Sequence, residues 1–339
     1  MLRIAARIGP DWLERPDDLV LLKQLGIDFV DMTIDAFAGY RNNDRRLSGD
    51  DVARTVGILE SAGLRMERCQ VTHDDLRNAF MGRAGGQREI DDLVANTAVL
   101  GEFDIPVLGI QVFHARQVVS WDDTLSWPEG RGGSTHLRQD LNAALDSPLR
   151  PDAPTREQLW EGTLNVYRQV LPAAEESGVL VATHGVDPPV PSVHGAPQIL
   201  HNFADFDRLF DELPSPNNGF TYCVGTRYES GEDVLAGIRK YGSQGRLFHV
   251  HFRNVVGTIP DGGVYDEVAP DEGDMDMFKI AQALDEVGYK GVLDYDHPNA
   301  VNLIGDGPQH KIYVAYLVGY NRAISQAVTS AAGQDARPE

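Results

Sequence analysis

Short apolar runs rich in β-branched residues alternate along this chain with longer segments whose apolar residues recur at three- and four-residue steps. The short runs predict strands over 2–8 (LRIAARI), 27–33 (IDFVDMT), 65–72 (RMERCQVT), 107–113 (VLGIQVF), 179–184 (VLVATH), 219–225 (GFTYCVG), 247–254 (LFHVHFRN) and 291–297 (GVLDYDH). The longer segments predict helices over 16–25, 48–62, 87–101, 156–177, 203–213, 231–241, 275–287 and 310–328. In the seventh, Met277, Ile280, Ala281, Leu284 and Val287 trace one helical face. Gly26, Gly63, Gly178 and Gly288 fall where helices end before the next strand, the position that wants a left-handed residue. Strict alternation of eight strands with eight helices favours a single (β/α)₈ TIM barrel over residues 1–328. An open doubly wound sheet is the rival, but no glycine-rich dinucleotide turn follows the first strand.

Two stretches break the alternation: 114–155 after the fourth strand and 255–274 after the seventh. Both would leave the C-terminal face of a barrel, where active sites are built, and long loops of this kind are usually functional. They are expected to cover the barrel mouth, with Trp121, Trp127 and Tyr265 as apolar walls. The segment 329–339 (TSAAGQDARPE) reads as a disordered tail.

Composition narrows the class of partner. The chain has 339 residues, enough to bury a large core without cross-links, and a formal net charge of −21. That charge argues against nucleic acid and anionic membranes, and it requires that an anionic substrate be met by locally placed cations. No apolar stretch is long enough for a membrane span, the first residues lack the apolar segment of a signal peptide, and there are only two cysteines. The expectation is a reduced, cytoplasmic protein that acts on a small molecule, assembled as a homo-oligomer.

The chemistry lies at four consecutive strand ends. His184 ends the fifth strand, Cys223 lies near the end of the sixth, His251 late in the seventh and Asp296 late in the eighth. A parallel barrel sets these ends side by side around one mouth, so the four side chains converge. Two imidazoles, one thiolate and one carboxylate suit Mn²⁺, Fe²⁺, Co²⁺ or Zn²⁺ better than Ca²⁺. Alternation places Arg253 on the strand face of His251, and Asp294 on that of Asp296.

The segments LPAAEESGVLVATHGVDPPVPSVHGAPQIL, NNGFTYCVGTRYESGEDV, LFHVHFRNV and DEGDMDMFKIAQALDEVGYKGVLDYDH resemble the mannonate dehydratase family over roughly 171–298. The resemblance implies a metal-dependent hydro-lyase that turns an aldonic acid into a 2-keto-3-deoxy acid. It also implies that His184, Cys223, His251 and Asp296 are four Mn²⁺ ligands. Departures are specific. The family's His-Pro-Asp-Asp-Pro-Pro is here His184-Gly185-Val186-Asp187-Pro188-Pro189, and its Glu-x-x-His is Glu267-Val268-Ala269-Pro270. Its Arg-Pro-Asp-His is Asp294-Tyr295-Asp296-His297, and its catalytic Tyr has no clear counterpart near His310 and Tyr313. Arg253 is the candidate for stabilising substrate charge. Asp187, His297, His310 and Tyr313 are candidates for proton transfer. Asp294, an anion where the family has a cation, is expected to disfavour a carboxylate and to slow mannonate turnover. A metal-dependent isomerase, epimerase or lyase of the xylose-isomerase-like barrel group is the alternative activity. A non-catalytic, metal-stabilised barrel is the third reading.

Overall fold

Each of the eight apolar runs contributes one stave of a closed parallel barrel. The structure is a computed structural model that describes residues 1–305, 307 and 310–333. The staves are β1 (Arg3–Arg7), β2 (Phe29–Thr33), β3 (Arg65–Val71), β4 (Val107–Gln111), β5 (Leu180–His184), β6 (Asn218–Cys223), β7 (Leu247–His251) and β8 (Val292–Asp294). Each pairs in parallel with its chain neighbours, and β8 closes on β1 with Ala5 opposite Asp294. The eighth stave is shorter than the run that predicts it, because Asp296 turns into the left-handed region at φ 65°.

The outer ring follows the predicted helices closely: α1 (Pro16–Gln24), α2 (Gly49–Ser61), α3 (Gly86–Glu102), α4 (Arg156–Ser177), α5 (Phe203–Glu212), α6 (Val234–Ser243), α7 (Met277–Glu286) and α8 (Lys311–Ala331). Thr155 opens α4 with a reciprocal capping box to Gln158, and Gly178 closes it at φ 69°. The last helix runs three residues into the segment read as a disordered tail. Val328 and Thr329 are buried there, so apolar contact continues the helix to Ala331. The rest of that reading, from 334 onward, lies outside the described residues.

Both long excursions fold back over the mouth as a second, antiparallel sheet. Thr135–Asp140 pairs with Leu125–Ser126, Val264–Val268 and Val301–Asn302, and Val264–Val268 pairs in turn with Asn254–Val256. This roof has its own small apolar core, in which Trp121, Leu141, Val193 and Tyr265 pack together. Trp127, expected as a wall, is instead 47% exposed.

Inside the barrel the usual layer of branched apolar side chains gives way to charge. Arg68 on β3 has no exposed surface. Its Nε and Nη2 donate to the two oxygens of Asp31 on β2 at 2.7 and 3.0 Å, and Nη1 donates to Thr221 Oγ1 at 2.9 Å. Gly109 on β4 makes room for it, since a Cβ there would lie 3.2 Å from Arg68 Cδ. Removing one partner from a buried pair leaves an uncompensated charge in a low-dielectric interior, which costs about 3–5 kcal/mol. Arg68→Met should therefore lower unfolding stability in urea by about that amount, and adding Asp31→Asn should recover part of the loss. Additive losses in the double variant would show that the pair is not coupled.

Candidate metal centre

The strand register carries the four predicted ligands to one point. Cys223 lies opposite His251 in the β6–β7 ladder, His251 opposite Asp294 in the β7–β8 ladder, and His184 ends β5. Two residues past Asp294 the chain reaches Asp296, whose N–H donates back to Asp294 Oδ1 at 2.9 Å. One donor atom from each of His184, Cys223, His251 and Asp296 falls within 4.8 Å of the others.

The details of these side chains suit a divalent ion. His184 Nδ1 donates to the Gly185 carbonyl at 2.5 Å, which leaves Nε2 with a bare lone pair, as metal-binding imidazoles require. Burial pushes the His184 pKa down to about 4, so the ring is neutral near pH 7. Among the described residues, buried His251 Nδ1 makes no well-aligned hydrogen bond; its nearest partner is Asp296 Oδ2 at 3.2 Å, a second candidate ligand atom. Burial also holds His251 well below the usual histidine range. Asp296 is buried too, but its neighbours His251 and His297 hold it well below the usual carboxylate range. Burial pushes the Cys223 thiol up to about 12, a cost that a bound cation would reverse by stabilising the thiolate. A bare imidazole lone pair, an ionised carboxylate and a buried thiol make a donor set that fits a divalent metal.

A second convergence, of Asp31, His249, His251 and Asp294, lies one layer deeper. Its charge is already answered by protein groups: Arg68 donates to Asp31, and His249 Nε2 lies 3.2 Å from Asp294 Oδ2. Burial and the nearby Asp31 raise the Asp294 pKa well above the usual range. Asp294 has no exposed surface and does not line the cavity. The expectation that it would repel a substrate carboxylate is therefore corrected: it is enclosed beneath the site and does not face the cavity.

Above the four ligands opens a cavity of ≈ 280 Å³, bounded by the strand ends below and the roof above. That is near the lower end of small-molecule sites, roughly 300–1,000 Å³. His297 lines it, with Nδ1 donating to Glu267 Oε2 at 2.8 Å and Nε2 3.5 Å from Asp296 Oδ2. Burial opposes charge on His297, yet Asp296 and Glu267 outweigh it and raise its pKa to about 9. Asp187 also lines the cavity, but three donors reach its carboxylate: Arg253 Nη2 at 2.6 Å, Tyr265 OH at 3.0 Å and Thr226 Oγ1 at 3.2 Å.

Arg253 does not line the cavity. Its guanidinium is buried against Glu229 (2.5 Å), Asp187 and Asp296, in space that Gly225 leaves free. It balances the charges of the site from behind, so contact with substrate, expected from the sequence, is not what this geometry provides. Tyr313 is buried farther back, beside a small separate cavity that it shares with Arg253, Glu267 and His297. His310 caps the start of α8 at φ 50°. Neither reaches the main cavity, because the chain turns outward after Asp296 before α8 begins.

Of the opposite wall, only Trp121 was read from the sequence. Arg7, His73, Gln111, His114 and Trp121 line it. The rings of His73 and His114 stack at 5.1 Å, and Trp121 meets His114 edge-on at 4.4 Å. His114 Nε2 donates to the Asp187 carbonyl at 2.7 Å, and burial pushes its pKa down to about 4. Arg7, His73, Gln111 and His114 sit at or just past the C-terminal end of a stave, the same signal that picked out His184, whereas Trp121 comes from the long excursion.

A family model for D-mannonate dehydratase (UxuA) matches residues 152–331. The chain belongs to the mannonate dehydratase family. Mannonate dehydratase 2 of Halalkalibacterium halodurans is 30% identical over 177 residues, covering 50% of this chain and 51% of its own. Mannonate dehydratase of Thermotoga neapolitana is 31% identical over 177 residues, covering 50% of this chain and 49% of its own. The chain thus spans about half the length of these curated relatives. The crystal structure of mannonate dehydratase from Streptococcus suis serotype 2 superposes with TM-score 0.84 over 100% of this chain and 96% of that one, at 23% identity. D-psicose 3-epimerase from Clostridium cellulolyticum H10 shares the barrel at TM-score 0.62 and 12% identity, covering 96% of this chain and 99% of that one. All four candidate ligands of this mannonate dehydratase family member fall inside the matched half. Arg7, His73 and His114 fall outside it.

Purified protein should carry about one divalent ion per chain. Cys223→Ser, which exchanges a thiolate for a much poorer ligand, should weaken that binding by more than the roughly 10–100-fold typical of outer-shell changes. Metal analysis after dialysis, with circular dichroism to verify the fold, checks this. Unchanged affinity in the variant would remove Cys223 from the ligand set.

Proposed function

We propose that this protein dehydrates a sugar acid to a 2-keto-3-deoxy acid, using a divalent metal, Mn²⁺ in the leading case, held by His184, Cys223, His251 and Asp296. The observation that carries the reading is the convergence of these four donors, three of which line a small-molecule-sized cavity with the His297–Glu267 pair at its edge. The reaction removes the proton from C2, next to the carboxylate, and expels the C3 hydroxyl as water; the resulting enol becomes the 2-keto product. When bound, the metal would act as a Lewis acid that favours loss of the weakly acidic C2 proton.

The chain's own residues supply the rest, and the C2 proton passes to the neutral imidazole of His73, which lines the facing wall of the cavity. His297 faces the cavity and is oriented by Glu267, so it is placed to give a proton to the departing hydroxyl. Arg253 and Asp187 are positioning residues: the guanidinium fixes Asp187 and Asp296, and Asp187 in turn anchors Tyr265 of the roof. The roof excludes water from a charged reaction centre, which strengthens every electrostatic contact within it. The same reading makes this a cytoplasmic enzyme of carbohydrate metabolism.

Mannonate, gluconate and other aldonic acids, assayed with Mn²⁺ for 2-keto-3-deoxy product, test the activity. At least one should be turned over, and chelation should abolish turnover. His297→Asn should lower kcat by about 10²–10⁴-fold, the range general acid catalysis supplies, while metal content stays at the wild-type level. Interconversion of neutral ketoses without dehydration of any acid would instead favour an isomerase or epimerase.

A further inference from the structure

The site as described holds anions at close quarters, with Asp296, Asp187 and Glu267 all lining the cavity. A sugar acid would add one more carboxylate, and the chain as a whole carries a net charge of −21. Some cation must face that carboxylate. Arg253 is committed behind the cavity wall, and Arg68 is fully enclosed beneath the floor. Arg116 lines the cavity, but its side chain is 48% exposed and pairs with Asp122 on the surface.

Arg7 is different. It ends β1, next to β8 in the barrel, and its guanidinium lies beside the metal ligands. Nη1 donates to Asp296 Oδ1 at 2.9 Å, Nη2 donates to Gln70 Oε1 at 3.3 Å, and Nε is 3.7 Å from Asp31 Oδ2. A guanidinium has two N–H bonds on each terminal nitrogen. Among the described residues, each terminal nitrogen of Arg7 uses one, which leaves a second N–H on each in a side chain that is 20% exposed and lines the cavity. Two N–H groups on one planar fork match the two oxygens of a carboxylate. Asp31, Asp296 and Gln70 hold the fork in place before any ligand arrives, so little freedom is lost on binding.

We infer that Arg7 is the specificity-determining residue that receives the substrate carboxylate, next to the metal, and that it makes the site selective for sugar acids over neutral sugars. The inference rests on the sugar-acid reading of the same site and names the group that would enforce it. It also explains how a barrel with Asp294 on its eighth strand can accept an anion: an accessible guanidinium stands on the neighbouring strand, while Asp294 is enclosed.

Binding measures this without turnover. The probes are a 3-deoxyaldonate, which has the carboxylate but no hydroxyl to lose, and the matching 3-deoxyalditol, which is neutral. Calorimetric titration of the Mn²⁺-loaded protein should show at least about tenfold preference for the acid. Arg7→Gln should reduce that preference to within about twofold while alditol affinity and bound Mn²⁺ stay unchanged. Loss of a merely structural contact would weaken both probes alike and overturn the inference. Absence of a preference in the wild type, or its persistence in Arg7→Gln, would overturn it too. If Arg7→Gln does not fold, Arg7→Lys decides: it keeps the charge but loses the fork, so acid affinity should fall several-fold with alditol affinity constant, and unchanged acid affinity overturns the idea. The two readings fail separately. Arg7-dependent acid preference without any 2-keto-3-deoxy product leaves the inference standing and removes dehydration. Dehydration by the wild type with undiminished acid preference in Arg7→Gln does the reverse.

Discussion

A fully enclosed arginine, Arg68, holds the centre of this barrel, and the site above depends on it. Its fork binds both oxygens of Asp31, and its Nη2 also lies 3.1 Å from Nε2 of His251. Without that cation, Asp31 would have to ionise in a low-dielectric interior with Asp294 and Asp296 close by, or else take up a proton. Arg68 therefore sets both the charge state of the floor and the attitude of one candidate ligand ring. Arg7 and Arg253 repeat the device on the two flanks of Asp296, at 2.9 and 3.3 Å. Three guanidiniums, each with more donors than a lysine, let several carboxylates sit within a few ångströms without mutual expulsion.

The two halves of the chain contribute different things. The half that matches the family model brings the four metal-binding candidates and the His297–Glu267 pair. The other half brings Arg7 and the stacked His73–His114 wall capped by Trp121. Candidate ligands from one half facing a wall from the other let one barrel set its chemistry and its choice of substrate on separate strands.

The barrel was legible because its signals are local and repeated: β-branched runs, helical spacing, and glycines at Gly26, Gly63, Gly178 and Gly288, all of which take positive φ. The convergence of His184, Cys223, His251 and Asp296 was legible because a barrel sets consecutive strand ends side by side around one mouth. Arg7, His73 and His114 carry the same strand-end signal, but singly, and a lone arginine or histidine there has many structural explanations. Arg253 and Asp294 were placed by alternation on the correct faces. Alternation does not say how far along the barrel axis a side chain sits, and both lie below or behind the cavity rather than in it. Trp127 and Tyr265 look alike as loop aromatics. Only the pairing of distant loops separates the exposed one from the one bound to Asp187 and Gln139.

The roof has a consequence for how the molecule assembles. Its central ladder joins strands from either end of the chain's middle, and the Arg138–Asp266 ion pair that pins it links positions 128 residues apart. Barrel staves pair with sequence neighbours, so most of their ladders form across much shorter separations. Long closures carry the larger entropic cost and form late unless something has already brought their ends together. The staves laid down one after another are that something, both for the β8–β1 ladder that joins Val292 to Arg3 and for the roof, so the two long closures share one scaffold.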